Sequence, residues 1–291
     1  MRITRADTNR LNTCVLLALL TLVITTTRLH AEGHGPAFGL ATPTLGQGQW
    51  SSDTSFMALS RDDGTAFVFR EMMGYGITED LQALLTFPLS PVIDPLQPPS
   101  RTRLGAMMGS MTDVEGSLLW RFHRQATDIG SRFESSLLLG GSVPTEEKRG
   151  GLHVGPALNA ALVTGYASRT VYGWVGGGYQ RYFESANDRL GDLPYATAVF
   201  GWRPPFFQRD YPKPDWRIFV ESLAEFPQHN RSDGARLANS GGERMLVGPS
   251  VLGLYGKWGI EAGVLFPVNQ RLNGNQPEEK FRAKVVFTWW F

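Results

Sequence analysis

At the end of the chain every second residue is apolar: Phe281, Ala283, Val285, Phe287, Trp289 and Phe291, while the alternate positions begin Lys280, Arg282 and Lys284. Side chains along a strand point alternately to opposite faces, so as a strand this stretch has one wholly apolar face. The pattern recurs upstream. Trp216, Ile218, Val220, Ala224 and Phe226 oppose Arg217, Glu221 and Glu225, and Glu261 opposes the apolar set of 258–266. Val114, Leu118, Trp120 and Phe122 oppose Glu115, Arg121 and His123. Counting such alternation predicts about twelve strands, at 49–60, 65–76, 78–87, 111–123, 131–143, 154–166, 169–183, 194–204, 215–226, 243–254, 256–267 and 280–291.

Two architectures alternate in this way, a soluble β-sandwich and a membrane barrel. Aromatics gather near the predicted strand ends (Trp50, Phe87, Trp216, Phe226, Trp258, Phe266, Trp289 and Trp290 among them), where interfacial girdles belong. Charges sit in mid-strand on the face opposite the apolar set, where a barrel lumen can solvate or pair them. The expected fold is therefore all-β, a single antiparallel transmembrane β-barrel of about twelve strands. If the first strand rises from the periplasm, odd connections become outer loops and even ones periplasmic turns. The candidate outer loops are 88–110, 144–153, 184–193, 227–242 and 269–279, and tight turns are predicted at 76–77, 167–168 and 255–256. The even connections 123–130 and 203–214 are longer than this scheme expects. The segment 169–183 alternates poorly, because glycine occupies both parities; such glycines relieve crowding or permit curvature.

The N-terminus reads as an address. Arg2, Arg5 and Arg10 precede the apolar run 14–24, followed by polar residues and a small residue at Ala31. This is the layout of a cleaved secretory signal over 1–31, too short for a spanning helix. The single cysteine, Cys14, precedes the apolar run instead of closing it, which argues against lipoprotein acylation, and it leaves with the signal. Residues 32–48 are then a periplasmic lead-in, and 49–291 the barrel. With 28 Lys and Arg against 27 Asp and Glu, the formal charge of +1 gives no basic field to attract nucleic acid.

Little here suggests chemistry. His34, His123, His153 and His229 have no second His or Cys at ligand spacing, and the Glu32-Gly-His34 start reads better as a loose terminus than as a metal site. His123 lies within a strand on the presumed lumen side, without a Gly-x-Ser-x-Gly elbow, which disfavours a lipid hydrolase. Gly176-Gly-Gly178 lacks the Lys-Ser/Thr ending of a phosphate loop. No enzyme and no cofactor is expected. Parity places Glu115, Arg121, Glu134, Arg217, Glu221, Glu225, Glu261, Arg282 and Lys284 in the lumen. Both signs occur, which favours cross-strand ion pairs, for example among Glu261, Arg282 and Lys284, over a one-sign filter. The Pro-rich stretch 88–110 is either a surface loop or an infolded plug.

The run from Gly35 to Trp50, the segment 113–122 (DVEGSLLWRF), the 140–145 strand end (GGSVPT) and the terminal Phe291 together resemble the outer-membrane protein family called "MetA-pathway of phenol degradation". The likeness spans nearly the whole mature chain, and departs at Thr145-Glu146, where relatives often continue Pro-Thr-Gly. It implies a Gram-negative outer-membrane barrel that transports small aromatic or other hydrophobic solutes passively, and no catalytic residues. Its partners are outer-membrane lipid and, through the terminal Phe287, Trp289 and Phe291, the barrel-assembly machinery. The competing role is a non-conducting accessory barrel, closed by its own side chains and acting through its loops or a periplasmic partner.

Overall fold

The computed structural model describes residues 35–89, 113–208 and 213–291. The predicted signal, the Glu32-Gly-His34 start and nearly all of the Pro-rich 88–110 stretch lie outside the described residues. Twelve strands close into one barrel. They are β1 (Trp50–Arg61), β2 (Gly64–Thr78), β3 (Leu81–Pro88), β4 (Val114–Asp128), β5 (Ser131–Val143) and β6 (Ala157–Ala167), then β7 (Val171–Tyr182), β8 (Leu193–Trp202), β9 (Asp215–Glu225), β10 (Gly242–Tyr255), β11 (Trp258–Leu272) and β12 (Glu279–Trp290). Each pairs antiparallel with its sequence neighbours, and β1 meets β12 from Ser51↔Trp290 to Ser60↔Phe281. Closure removes the free edges that a strand-rich chain would otherwise expose.

The alternation sorts side chains as the sequence predicts. Trp120, Leu139, Phe200, Val220, Phe266 and Phe287 lie on the outer face and are 45–57% exposed, a lipid-facing band that a sandwich core would have buried. The connections 79–80, 129–130, 168–170 and 256–257 are short and lie at one end of the barrel, together with the longer 203–214; the loops 144–156, 183–192, 226–241 and 273–278 lie at the other, together with the two-residue turn 62–63. The long connection expected at 123–130 is instead strand: β4 and β5 continue past the end of β3 to a two-residue turn at Ile129 and Gly130, where Gly130 takes a φ of 76°. The connection 203–214 remains long and holds a short 3₁₀ turn at Pro205–Phe207.

A bulge between Arg121 and His123 shifts parity within β4. His123 pairs with Ser135 and its ring meets Phe133 edge-on at 6.1 Å, on the outer face. The sequence reading put His123 in the lumen. A one-residue bulge reverses every side chain beyond it, and nothing in the local composition announces it.

Candidate functional site

The interior is occupied by the chain itself. Of the 32–48 stretch expected as a lead-in outside the barrel, residues 35–46 run within it: Ala37, Phe38, Leu40, Ala41, Thr42, Thr44 and Leu45 are all at most 6% exposed. Leu40 and Leu45 join an apolar cluster with Leu119, Trp174, Phe219 and Trp290, and Phe38 packs with Leu223, Leu246 and Leu265. A lumen that is partly apolar explains why this stretch enters, since each side chain so buried gains roughly 1.5–3 kcal/mol over exposure. Glycines make the room. A Cβ at Gly176 of β7 would lie 3.0 Å from Leu40 Cδ1, and one at Gly263 of β11 would lie 2.8 Å from the Phe38 ring.

An extended segment has no ladder of its own, so its backbone must be satisfied by side chains. Glu221 of β9 takes three N–H groups in a row: one carboxylate oxygen accepts from Ala37 at 2.8 Å, the other from Phe38 at 2.8 Å and Gly39 at 2.6 Å. The Ser250 hydroxyl donates to the same carboxylate. Lys284 Nζ donates to the Ala37 carbonyl at 2.5 Å and sits 3.7 Å from Glu261. Farther along, the Thr42 hydroxyl donates to Glu134 at 2.9 Å and accepts from the Trp174 indole at 3.0 Å, while the Thr42 carbonyl accepts from Ser136 at 2.9 Å. The Leu45 N–H reaches Gln82 at 2.7 Å. At the short-turn end the chain enters β1, where Trp50 and Phe291 exchange backbone hydrogen bonds at 3.0 and 3.1 Å and stack their rings.

All nine charged residues assigned to the lumen face inwards, in separate groups. Arg121 bonds Glu134 at 3.0 Å and Asp80 at 2.8 Å, and Arg132 bonds Glu134 at 2.8 Å. Arg282 grips Glu225 with two bonds of 2.8 and 2.6 Å and also bonds Glu279; Arg244 lies 3.0 Å from Glu225 and 3.1 Å from Glu279. Glu115 lies 3.9 Å from Arg70, and Arg217 lies over the Tyr172 ring and 3.6 Å from Asp215. The ion-pair set suggested by sequence is thus half formed: Glu261 pairs with Lys284, but Arg282 does not join them. Glu261 stands opposite Val286 and Arg282 opposite Leu265, four residues apart along the ladder. Phe287 and Trp289 lie on the outer face, and Phe291 follows the last strand.

The residues that sequence reasoning missed are those of the segment and its holders Gln82, Ser136 and Trp174. The signal available was the apolar content of 35–45, high for a solvated lead-in. A cavity of about 80 Å³ remains beside the segment, lined by Phe38, Ala41, Asp53, Met72, Gln82 and Lys284 among others. That is about half the ~150 Å³ of an engineered cavity that holds benzene. Among the described residues no group of three or more His, Cys, Asp or Glu side chains is placed to hold a metal ion.

No family model matches the sequence, and no curated protein matches it. Solved structures do. The chain is similar to an outer membrane channel from Pseudomonas putida F1, with a TM-score of 0.60 and 11% identity, over 89% of this chain and 99% of that one. A further similarity, at a TM-score of 0.49 and 10% identity, is to the NanC porin, over 81% of this chain and 98% of that one. The first likeness shows the fold, a twelve-stranded barrel of the outer-membrane kind.

Proposed function

We propose that the protein is an outer-membrane channel for small solutes whose passage is controlled by its own N-terminal segment. The observation that carries this reading is the way the segment is held. Its backbone is gripped by side chains of different strands, Glu221, Lys284, Ser136 and Gln82, and not by a continuous ladder. Such contacts can be released while the barrel stays closed by its own hydrogen bonds. The cavity beside the segment is smaller than one that holds an aromatic ring, so in this reading a ring passes along the segment only when the segment shifts. The hydrophobic or aromatic solute class, and membership of the phenol-degradation family, rest on the sequence resemblance. An outer-membrane location, export by the N-terminal signal and a non-enzymatic role belong to the same reading.

The test is single-channel current in planar bilayers from the refolded protein beginning at residue 32, against a form lacking 35–46. Low or infrequent conductance that becomes large and steady on deletion supports a segment-gated channel. The filled lumen also favours a second reading, the non-conducting accessory barrel. Absence of current from both forms, with each correctly folded, selects that one.

A further inference from the structure

Away from the lumen, at the long-loop end, three short strands place three arginines side by side. Asp188–Arg189, Arg231–Ser232 and Ala235–Arg236 form a small antiparallel sheet in which Arg189 stands opposite Arg231 and Arg231 opposite Arg236. Directly opposed residues share a face, with Cβ atoms about 4.5–5.5 Å apart. The backbone enforces this. Asp233 and Gly234 take φ of 49° and 77°, the two positive values of a type I′ hairpin turn, and the Leu237 N–H bonds the Asn230 carbonyl at 2.9 Å just beyond the arginine pair.

Like charges placed opposite one another destabilise a sheet, so the arrangement calls for a counter-charge. Arg189 has one: it donates to both oxygens of Asp192, at 2.8 and 2.7 Å. Arg231 and Arg236 are exposed and, among the described residues, meet no carboxylate. Of the nearby acids, Asp188 and Asp192 are committed, while Asp233 stands exposed in the turn between Arg231 and Arg236. Asp188 accepts from the Ser232 hydroxyl at 2.5 Å and the His153 N–H at 2.9 Å, and Asp192 accepts from Tyr179 and Tyr182 as well as Arg189. The row borders a cavity of about 250 Å³, also lined by Gly191, Gln228, His229 and Asp192, whose charge is met by Arg189. Its frame is fixed by a bond from the Gly191 N–H to Asn230 at 2.9 Å and by burial of Leu190 against Leu152, Val154 and Tyr182.

We propose that this cavity is an oxyanion site, in which Arg231 and Arg236 take a carboxylate or phosphate group between their guanidinium forks. Two planar forks on adjacent strands offer the paired donors that such groups accept. A carboxylate solute, free phosphate and an anionic lipid headgroup present the same chemistry, and the test separates them. The refolded protein in non-ionic detergent is titrated with inorganic phosphate by ³¹P NMR and with benzoate by calorimetry. The same protein in nanodiscs is compared with and without phosphatidylglycerol. Arg231→Gln, Arg236→Gln and the pair are measured beside Arg271→Gln, an exposed arginine of the same end.

Saturable binding of any one probe, weakened about tenfold or more by Arg231→Gln or Arg236→Gln and unchanged by Arg271→Gln, is the expected result. The probe that saturates identifies the source: phosphate or benzoate a dissolved anion, phosphatidylglycerol alone a headgroup. Absence of saturation with all three, or equal binding by the doubly substituted protein, overturns the proposal. Heat-modifiable migration of each variant shows that the barrel is folded.

Discussion

A carboxylate as deeply buried as Glu221 is costly unless every lone pair finds a donor. Here three backbone N–H groups and a hydroxyl supply them, so the charge and the segment are held by the same bonds. Glu221→Gln replaces one acceptor oxygen with an NH₂ that faces donors, and a hydrogen bond to a charged group contributes about 1.5–3 kcal/mol. Ala41→Cys in a chain carrying Cys14→Ser should therefore be labelled by maleimide roughly tenfold faster or more when Glu221→Gln is added. Equal rates would mean that Glu221 does not hold the segment. Arg282 makes the opposite kind of case: Arg282→Ala takes from the buried Glu225 and Glu279 a cation that bonds both, and should cost about 3–5 kcal/mol, read from unfolding in lipid vesicles. In the loops, the Ser232 hydroxyl, then the His153 N–H and ring, hold the Asp188 carboxyl at about 2, below its ordinary value of 3.8. A depressed pKa stabilises the folded loops above the ordinary value and is lost as pH falls through the folded one. Protection from hydrogen exchange around 185–189 and 231–233, taken relative to the intrinsic rate at each pH, should thus hold above pH 4 and fall between about pH 4 and 2.

At the scale of elements, every predicted strand exists, because the alternation that marks a strand is also what divides a barrel wall into lipid and lumen faces. What the alternation could not supply were its interruptions. The bulge in β4 moves His123 outside while leaving Arg121 within, and the extension of β4 to Asp128 turns a predicted loop into wall. The small hairpin 231–236 was legible as Asp-Gly, the dipeptide that type I′ turns prefer, yet it lay inside a stretch read only as an outer loop. Gly234 is needed there for its φ of 77°. Gly234→Ala should cost about 1 kcal/mol and raise exchange of the Leu237 amide several-fold, leaving the barrel's heat-modifiability unchanged. An unchanged rate would show that the turn does not set the arginine register.

For the molecule as a whole, the nine inward charges were legible from parity, but what they surround was not. Two facts join only in three dimensions: a lead-in rich in apolar residues, and interior glycines on β7 and β11 that leave space for it. Their meeting divides the molecule into a wall that closes by strand pairing and a segment that occupies the space within. The wall's ladder runs unbroken from β1 round to β12 without help from residues 35–46. Deleting them should therefore leave a barrel that refolds, migrates heat-modifiably and keeps its strand signature in circular dichroism, while Trp174 and Phe219 lose their packing partner Leu40 and meet water. Tryptophan emission should shift to the red, and collisional quenching by acrylamide should rise, as the interior wets. A deletion form that fails to refold would make the segment part of the folding core and not a separable occupant, and gating by its movement would then be untenable.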